Sequence, residues 1–173
     1  TLEGMRAEGA PFRGFLYCGL MMTADGPKVL EFNVRMGDPE TQPLLYRLGG
    51  DLGELLASAA RGSLDPSVAS WKAGATACVV MAAGGYPGAY DKDDPIEGLT
   101  AAENEGVKVF HAGTRFRQGR AVTAGGRVLG VTAAGGGLAE ALRRAYAGVE
   151  RIRFRGAQFR RDIGHSGLAA ARP

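Results

Sequence analysis

The sequence implies a mixed α/β chain of the α+β kind, arranged as two lobes, and three observations carry that expectation. Residues Leu30 to Met36 alternate apolar and polar with the period of two that marks a strand. A near-continuous apolar run from Ala75 to Ala83 has the length and texture of a buried strand. Leu138, Ala141, Leu142, Ala145, Tyr146, Val149 and Ile152 recur at helical spacing and predict an amphipathic helix.

In chain order, Phe12 to Met22 is apolar and aromatic and reads as the first strand. Ala24-Asp25-Gly26-Pro27 carries strong turn chemistry, and a second strand follows from Lys28 to about Met36. The pair reads as a β-hairpin whose loop is longer than the tightest type. Within the second strand, Leu30, Phe32, Val34 and Met36 are expected in a core, while Glu31, Asn33 and Arg35 share the opposite face. A turn-like Gly37-Asp38-Pro39-Glu40 comes next. Leu52, Leu55, Leu56 and the alanines to Ala60 predict a helix capped by Asp51 and ended by Gly62. Ser63 to Ser70 reads as a linker, which puts the lobe boundary between residues 1–63 and 64–173. Beyond it, Val107 to Gly113, Ala121 to Thr123 and Arg127 to Ala133 read as short strands joined by Gly-rich turns.

Composition narrows the class. The 173 residues are 45% hydrophobic and 23% charged, as in a soluble globular protein. A net charge of +3 does not by itself argue for nucleic acid or membrane binding. No apolar run approaches the ~18 residues of a membrane span. Cys18 and Cys78 both lie in apolar runs and are expected as buried thiols, in keeping with a reducing cytoplasm.

Glu31 and Asn33 are the strongest candidates for chemistry. Their side chains leave one strand face about 7 Å apart and can aim oxygen atoms at one point. Hard cations such as Mg²⁺ take oxygen ligands, often one or two protein groups together with substrate phosphates. Arg35 on the same face would offer phosphate a planar fork of donors. The rival explanation is the solvated face of an antiparallel sheet. Elsewhere the signals are weaker. His111 and His165 lack a metal-spaced partner and read as structural. Gly84-Gly85 and Gly88 read as a tight turn rather than a phosphate cradle. Arg151, Arg153, Arg155, Arg160 and Arg161, interrupted by Ile152, Phe154 and Phe159, suit a half-buried strand with a solvated face. The functional alternative for that stretch is contact with a substrate phosphate or nucleic acid.

The run from Leu30 through Glu31-Phe32-Asn33-Val34-Arg35-Met36-Gly37-Asp38-Pro39-Glu40-Thr41-Gln42 to Pro43 resembles the signature of glycinamide ribonucleotide synthetases (phosphoribosylamine–glycine ligases). The similarity extends through Phe15 to Met21, Ala82 to Gly88, Val107 to Thr114, Thr123 to Val131 and Arg160 to Gly164, in the family's order. Met36 departs from it, since the family more often has Phe or Leu there, and the apolar exchange puts little in doubt.

The resemblance implies the C-terminal half of an ATP-grasp domain over residues 1–63, followed by a small α+β C-terminal domain over 64–173. It implies an ATP-dependent carboxylate–amine ligase of purine biosynthesis. Such an enzyme joins glycine to 5-phosphoribosylamine through an acyl phosphate and releases ADP and phosphate. Glu31 and Asn33 would bind the Mg²⁺ or Mn²⁺ that holds the ATP phosphates. Arg35 and Asp38 are the candidate catalytic residues, Arg35 by meeting phosphate. Gly37, Asp38, Pro39 and Glu40 would line the glycine or amine site, with Asp38 or Glu40 toward the glycine ammonium; a role as turn and helix-cap carboxylates is the alternative. The family's chain is more than twice as long, so the N-terminal part of the enzyme would be the essential partner and these residues alone would be inactive. A cytoplasmic monomer with small-molecule substrates, and without nucleic acid or membrane, completes the expectation. The rivals are a nucleic-acid-binding module using the Arg-rich stretch and a non-catalytic scaffold.

Overall fold

A computed structural model describes residues 1–170, and its elements follow in chain order. They are α1 (Leu2–Ala7), β1 (Tyr17–Thr23), β2 (Gly26–Asn33), α2 (Thr41–Arg47), β3 (Leu48–Gly50), α3 (Leu52–Arg61), β4 (Ala69–Trp71) and β5 (Ala75–Ala82). Then come α4 (Leu99–Asn104), β6 (Lys108–His111), β7 (Thr114–Arg117), β8 (Arg120–Thr123), β9 (Arg127–Gly135), α5 (Leu138–Val149) and α6 (His165–Ala170). The described residues form two compact units: residues 1–41 with 48–71, and residues 42–47 with those from 72 on.

In the first unit, β1 and β2 form an antiparallel ribbon. Thr23 pairs with Gly26, so the loop is only Ala24-Asp25 and is tighter than its composition suggested. β1 begins at Tyr17 rather than Phe12, and Gly14, at φ +134°, interrupts the extended backbone before it. The register shifts between Gly19 and Leu20, so that Gly19 faces Glu31 and Leu20 faces Val29. Leu30 is thereby the extra residue of a β-bulge. β2 ends at Asn33, which leaves Val34 to Met36 outside the strand.

The expected core on this ribbon is not there. Leu30, Phe32 and Val34 are 64%, 47% and 73% exposed, and Met36 is half-buried. Cys18 is exposed as well, against the expectation of two buried thiols, whereas Cys78 is buried. Alternation separates two faces of a ribbon, but burial needs a second layer, and nothing among the described residues covers this one.

α3 forms where its caps dictate. The Asp51 carboxylate accepts a hydrogen bond from Glu54 N–H at 3.0 Å, and Gly62 closes the helix in the left-handed region at φ 75°. The buried Ser58 hydroxyl donates to Leu55 C=O at 2.8 Å and accepts from Asp65 N–H at 3.3 Å, tying the next segment to the helix. That segment is not a plain linker. It makes a 3₁₀ turn over Pro66–Val68 and returns as β4, which pairs antiparallel with β3.

The second unit holds the apolar core. β9 lies between β5 and β6 in an antiparallel sheet of order β5-β9-β6. Val79 faces Val131 and Met81 faces Leu129, and all four are essentially inaccessible. Ala145, Val149 and Ile152 belong to the same cluster, with Ala141 and Leu142 of α5 packed beside it against Ala77. Full burial of each Val, Leu or Ile stabilises by roughly 1.5–3 kcal/mol, so this helix–sheet layer dominates the unit. On the other sheet face, Thr76 Oγ1 donates to Pro43 C=O at 2.9 Å, which anchors the segment 42–47. β7 and β8 form a hairpin turned by Gln118 and Gly119, both at positive φ, as two-residue loops require.

The Arg-rich stretch is not a regular strand. Single bridges join Arg153 to Glu97 and Gln158 to Ala82, while Ile152 and Phe154 are buried. Its arginines meet carboxylates: Arg151 with Glu105 at 2.6 Å, Arg155 with Asp94 at 2.9 Å and Arg160 with Asp162 at 2.6 Å. No helix among the described residues is long and apolar enough to cross a membrane.

Candidate functional site

The ribbon's register assembles the site. Tyr17 stands opposite Asn33 and Gly19 opposite Glu31, so these four share one face. Glu31 lies across Gly19, where an added Cβ would come within 2.9 Å of Glu31 Cγ. With glycine at 19 the Glu31 side chain lies across the neighbouring strand, and a larger residue there would push it aside. Glu31 and Asn33 are therefore side by side, as their spacing predicts. Arg35 is not on that strand face. It follows the end of β2 on a bend, and its Nη1 donates to Met36 C=O at 3.1 Å.

Gly37 is buried at the turn that follows. A Cβ there would overlap the Glu40 carboxylate and lie 2.8 Å from Tyr17 Cε2. Tyr17, Glu40 and the Gly37 backbone thus pack together. Thr41 Oγ1 closes the turn by donating to Gly37 C=O at 2.5 Å. The Asp38–Pro39 peptide bond is cis. The charge of the Glu40 carboxylate holds the Tyr17 hydroxyl above the ordinary phenol range; burial and the Glu31 charge add to this, and Arg35 opposes it. Arg35 thus remains within electrostatic reach of the cluster despite leaving the strand.

Several features of this face suit a hard cation held jointly with a phosphate. Glu31 makes no ion pair or side-chain hydrogen bond with another described residue. Asn33 Nδ2 is buried without a partner, and buried polar atoms are seldom left so. A carboxamide offers an oxygen to a metal and an N–H to a phosphate oxygen. No cluster of three or more His, Cys, Asp or Glu occurs among the described residues. Two protein ligands with phosphate oxygens is the mode Mg²⁺ favours over an all-protein cage.

The weaker candidates take structural places. Gly85 has φ +89° and its C=O accepts from Gly88 N–H at 2.8 Å, closing the glycine turn on its own backbone. His111 Nδ1 lies 3.0 Å from Thr114 Oγ1. Tyr17 is the functional candidate that sequence reasoning missed. Only its pairing with Asn33, sixteen positions on, brings it to the site. A concavity of about 440 Å³ lined by Asp93, Pro95, Arg117, Gln118, Arg120 and Val122 was also not expected. Its Asp93 is already held by Arg115 and Arg117, and their hydrogen bonds and charges keep its carboxyl below the usual range.

The chain is similar to known proteins over most of its length. Residues 1–41 match the family model of the phosphoribosylglycinamide synthetase ATP-grasp (A) domain, and residues 76–166 match that of the phosphoribosylglycinamide synthetase C domain. The phosphoribosylamine–glycine ligase of Allochromatium vinosum is 54% identical over 173 residues, which is 99% of this chain and 40% of that protein. The trifunctional purine biosynthetic protein adenosine-3 of Gallus gallus is 50% identical over 98% of this chain and 17% of its own length. A crystal structure of the phosphoribosylamine–glycine ligase of Thermotoga maritima superposes with a TM-score of 0.77 at 37% identity, over 92% of this chain and 39% of that one. The chain spans about 40% of the length of most of the curated relatives it matches. With more than half its length matched to one family model and an ATP-grasp segment before it, this chain belongs to the phosphoribosylglycinamide synthetase family.

Proposed function

We propose that the chain supplies the C-terminal part of a ligase that joins glycine to 5-phosphoribosylamine with ATP. The observation that carries this reading is the pairing of Glu31 and Asn33 on one ribbon face, with Asn33 Nδ2 buried and unpartnered. A glycine carboxylate oxygen attacks the γ-phosphorus, and ADP leaves. The amine nitrogen then attacks the acyl carbon, the C–O bond to phosphate breaks, and the nitrogen loses a proton. Glu31 and Asn33 would hold Mg²⁺ or Mn²⁺, which supplies charge neutralisation at the ATP phosphates. Arg35 steadies phosphate charge from the bend beyond β2. Gly37, Asp38, Pro39 and Glu40 form part of the wall around the glycine or amine.

We further propose residues 1–63 as the end of the catalytic domain and 64–173 as a small C-terminal domain. Because β4 falls in the second range yet pairs with β3 in the first, the pairing favours moving the cut from residue 63 to nearer Trp71. Two free thiols fit a protein working in a reducing cytoplasm. Glu31→Gln in the complete ligase tests the assignment. It keeps the shape of the side chain and removes its charge. The expected outcome is a loss of about 10²-fold or more in kcat with little change in thermal midpoint, the scale seen when one electrostatic contact to a transition state is removed. Full activity in that variant would refute the metal-holding role.

A further inference from the structure

We propose that the concavity beside the β7–β8 hairpin is a binding site for a small phosphate monoester that carries an apolar group. It uses none of the residues assigned to the ligase chemistry and stands apart from that reading.

The fold brings its residues to one sheet face. β8 lies between β7 and the segment 93–97: Asp93 N–H donates to Thr123 C=O at 2.8 Å, and Ile96 N–H donates to Ala121 C=O at 2.9 Å. Arg117 stands opposite Arg120 and Arg115 opposite Val122, while Pro95 is bridged to Val122 from the other side. Residues directly opposite in an antiparallel pair share a face. Arg117 and Arg120 therefore stand beside an apolar patch of Pro95 and the buried Val122. The concavity they line holds about 440 Å³, within the range of small-molecule pockets.

Its charge is unbalanced. Asp93 is the one carboxylate in the lining, and two arginines bind it, Arg115 Nε at 2.9 Å and Arg117 Nη1 at 3.0 Å. Arg120 forms no ion pair or side-chain hydrogen bond with another described residue. Asp94 and Glu97, in the same segment, do not line the concavity, and Asp94 is bound by Arg155 at 2.9 Å. Three cations against one carboxylate leave a surplus of two positive charges. Asp93 holds Arg115 and Arg117 in place, and a guanidinium has five N–H donors, so donors remain for a ligand. A phosphate monoester carries about −1.5 to −2 charges near neutral pH, and its oxygens match the guanidinium fork. A carboxylate ligand would neutralise only half the surplus. Pro95 and Val122 offer the apolar part of the same ligand a surface to cover.

The test is isothermal titration calorimetry of the complete protein that carries these residues, with phenyl phosphate, inorganic phosphate and benzyl alcohol as probes. The expected result is that phenyl phosphate binds about tenfold more tightly than inorganic phosphate, the scale of partial burial of an apolar group, and that benzyl alcohol does not bind. Arg120→Gln should weaken phenyl phosphate by about tenfold, the scale of a lost charge-assisted hydrogen bond, and Arg120→Glu should abolish its binding. Arg120 is exposed and unpaired, so neither variant should move the thermal midpoint. Phenyl phosphate held at the ligase's own phosphate site would bind Arg120→Gln as tightly as the wild type, and that outcome overturns the proposal. So does the absence of binding, or inorganic phosphate binding as tightly as phenyl phosphate. Ligase turnover does not enter the measurement, so its failure and the failure of this site are separate results.

Discussion

Replacing Gly148 by alanine opposes two effects of known size in α5. In a helix interior, alanine is favoured over glycine by about 1 kcal/mol. Gly148 is the penultimate residue of α5, so the gain there is smaller. Against it stands the contact with the sheet. A Cβ at 148 would lie 2.7 Å from Val107 Cγ2, 3.0 Å from Val107 Cγ1 and 3.1 Å from Val131 Cγ1. Both valines are buried, and β-branched side chains have little freedom at χ1 to move aside. Overpacking of this kind costs about 1–3 kcal/mol. The close contact wins, and the net destabilisation should be about 1 kcal/mol. For a unit of this size that lowers the thermal midpoint by about 4–8 °C. Thermal unfolding followed by circular dichroism measures it directly. A raised midpoint in Gly148→Ala would show that helix and sheet relax apart freely, and would refute the close-packing argument.

Two further substitutions probe the local physics. Asp51→Ala removes the acceptor for Glu54 N–H and should destabilise α3 by about 1 kcal/mol, read as faster amide exchange over residues 52–61. Glu140 is held below the ordinary glutamate range, first by its hydrogen bond from Gly136 N–H and then by the Arg144 charge. Because the folded carboxyl is the more acidic one, its contribution is present above the ordinary glutamate range and is lost as pH falls through the folded value. Glu140→Gln should therefore flatten the acid side of the stability profile, and an unchanged pH dependence would count against it.

Long periodic segments and capped ends were legible in the sequence. α5 repeats its apolar positions over three turns, and α3 is marked at both ends by Asp51 and Gly62. The short elements were not. α1, α2, α4 and α6 each span fewer than two turns, too little for a helical period to emerge, and β3 and β4 have three residues each. Alternation in β2 correctly separated Glu31 and Asn33 from Phe32. It could not say whether a layer covers the apolar side, nor that the strand ends before Arg35. The contribution of Tyr17 was hidden for a related reason. It depends on cross-strand register and on a turn beyond β2, and no spacing along one strand carries that information. In the Arg-rich stretch the sequence showed the cations but not their partners, since Glu105, Asp91 and Asp94 lie some fifty residues away or more.

The most direct test of the ligase assignment is turnover by the complete protein that carries these residues, supplied with ATP, Mg²⁺, glycine and 5-phosphoribosylamine, beside the 173-residue chain alone. Release of ADP and phosphate coupled to formation of the glycinamide product, by the complete protein and not by this chain, is the expected result. A complete, folded protein that gives no product under these conditions would contradict the assignment and leave a scaffold that shares only the family's fold.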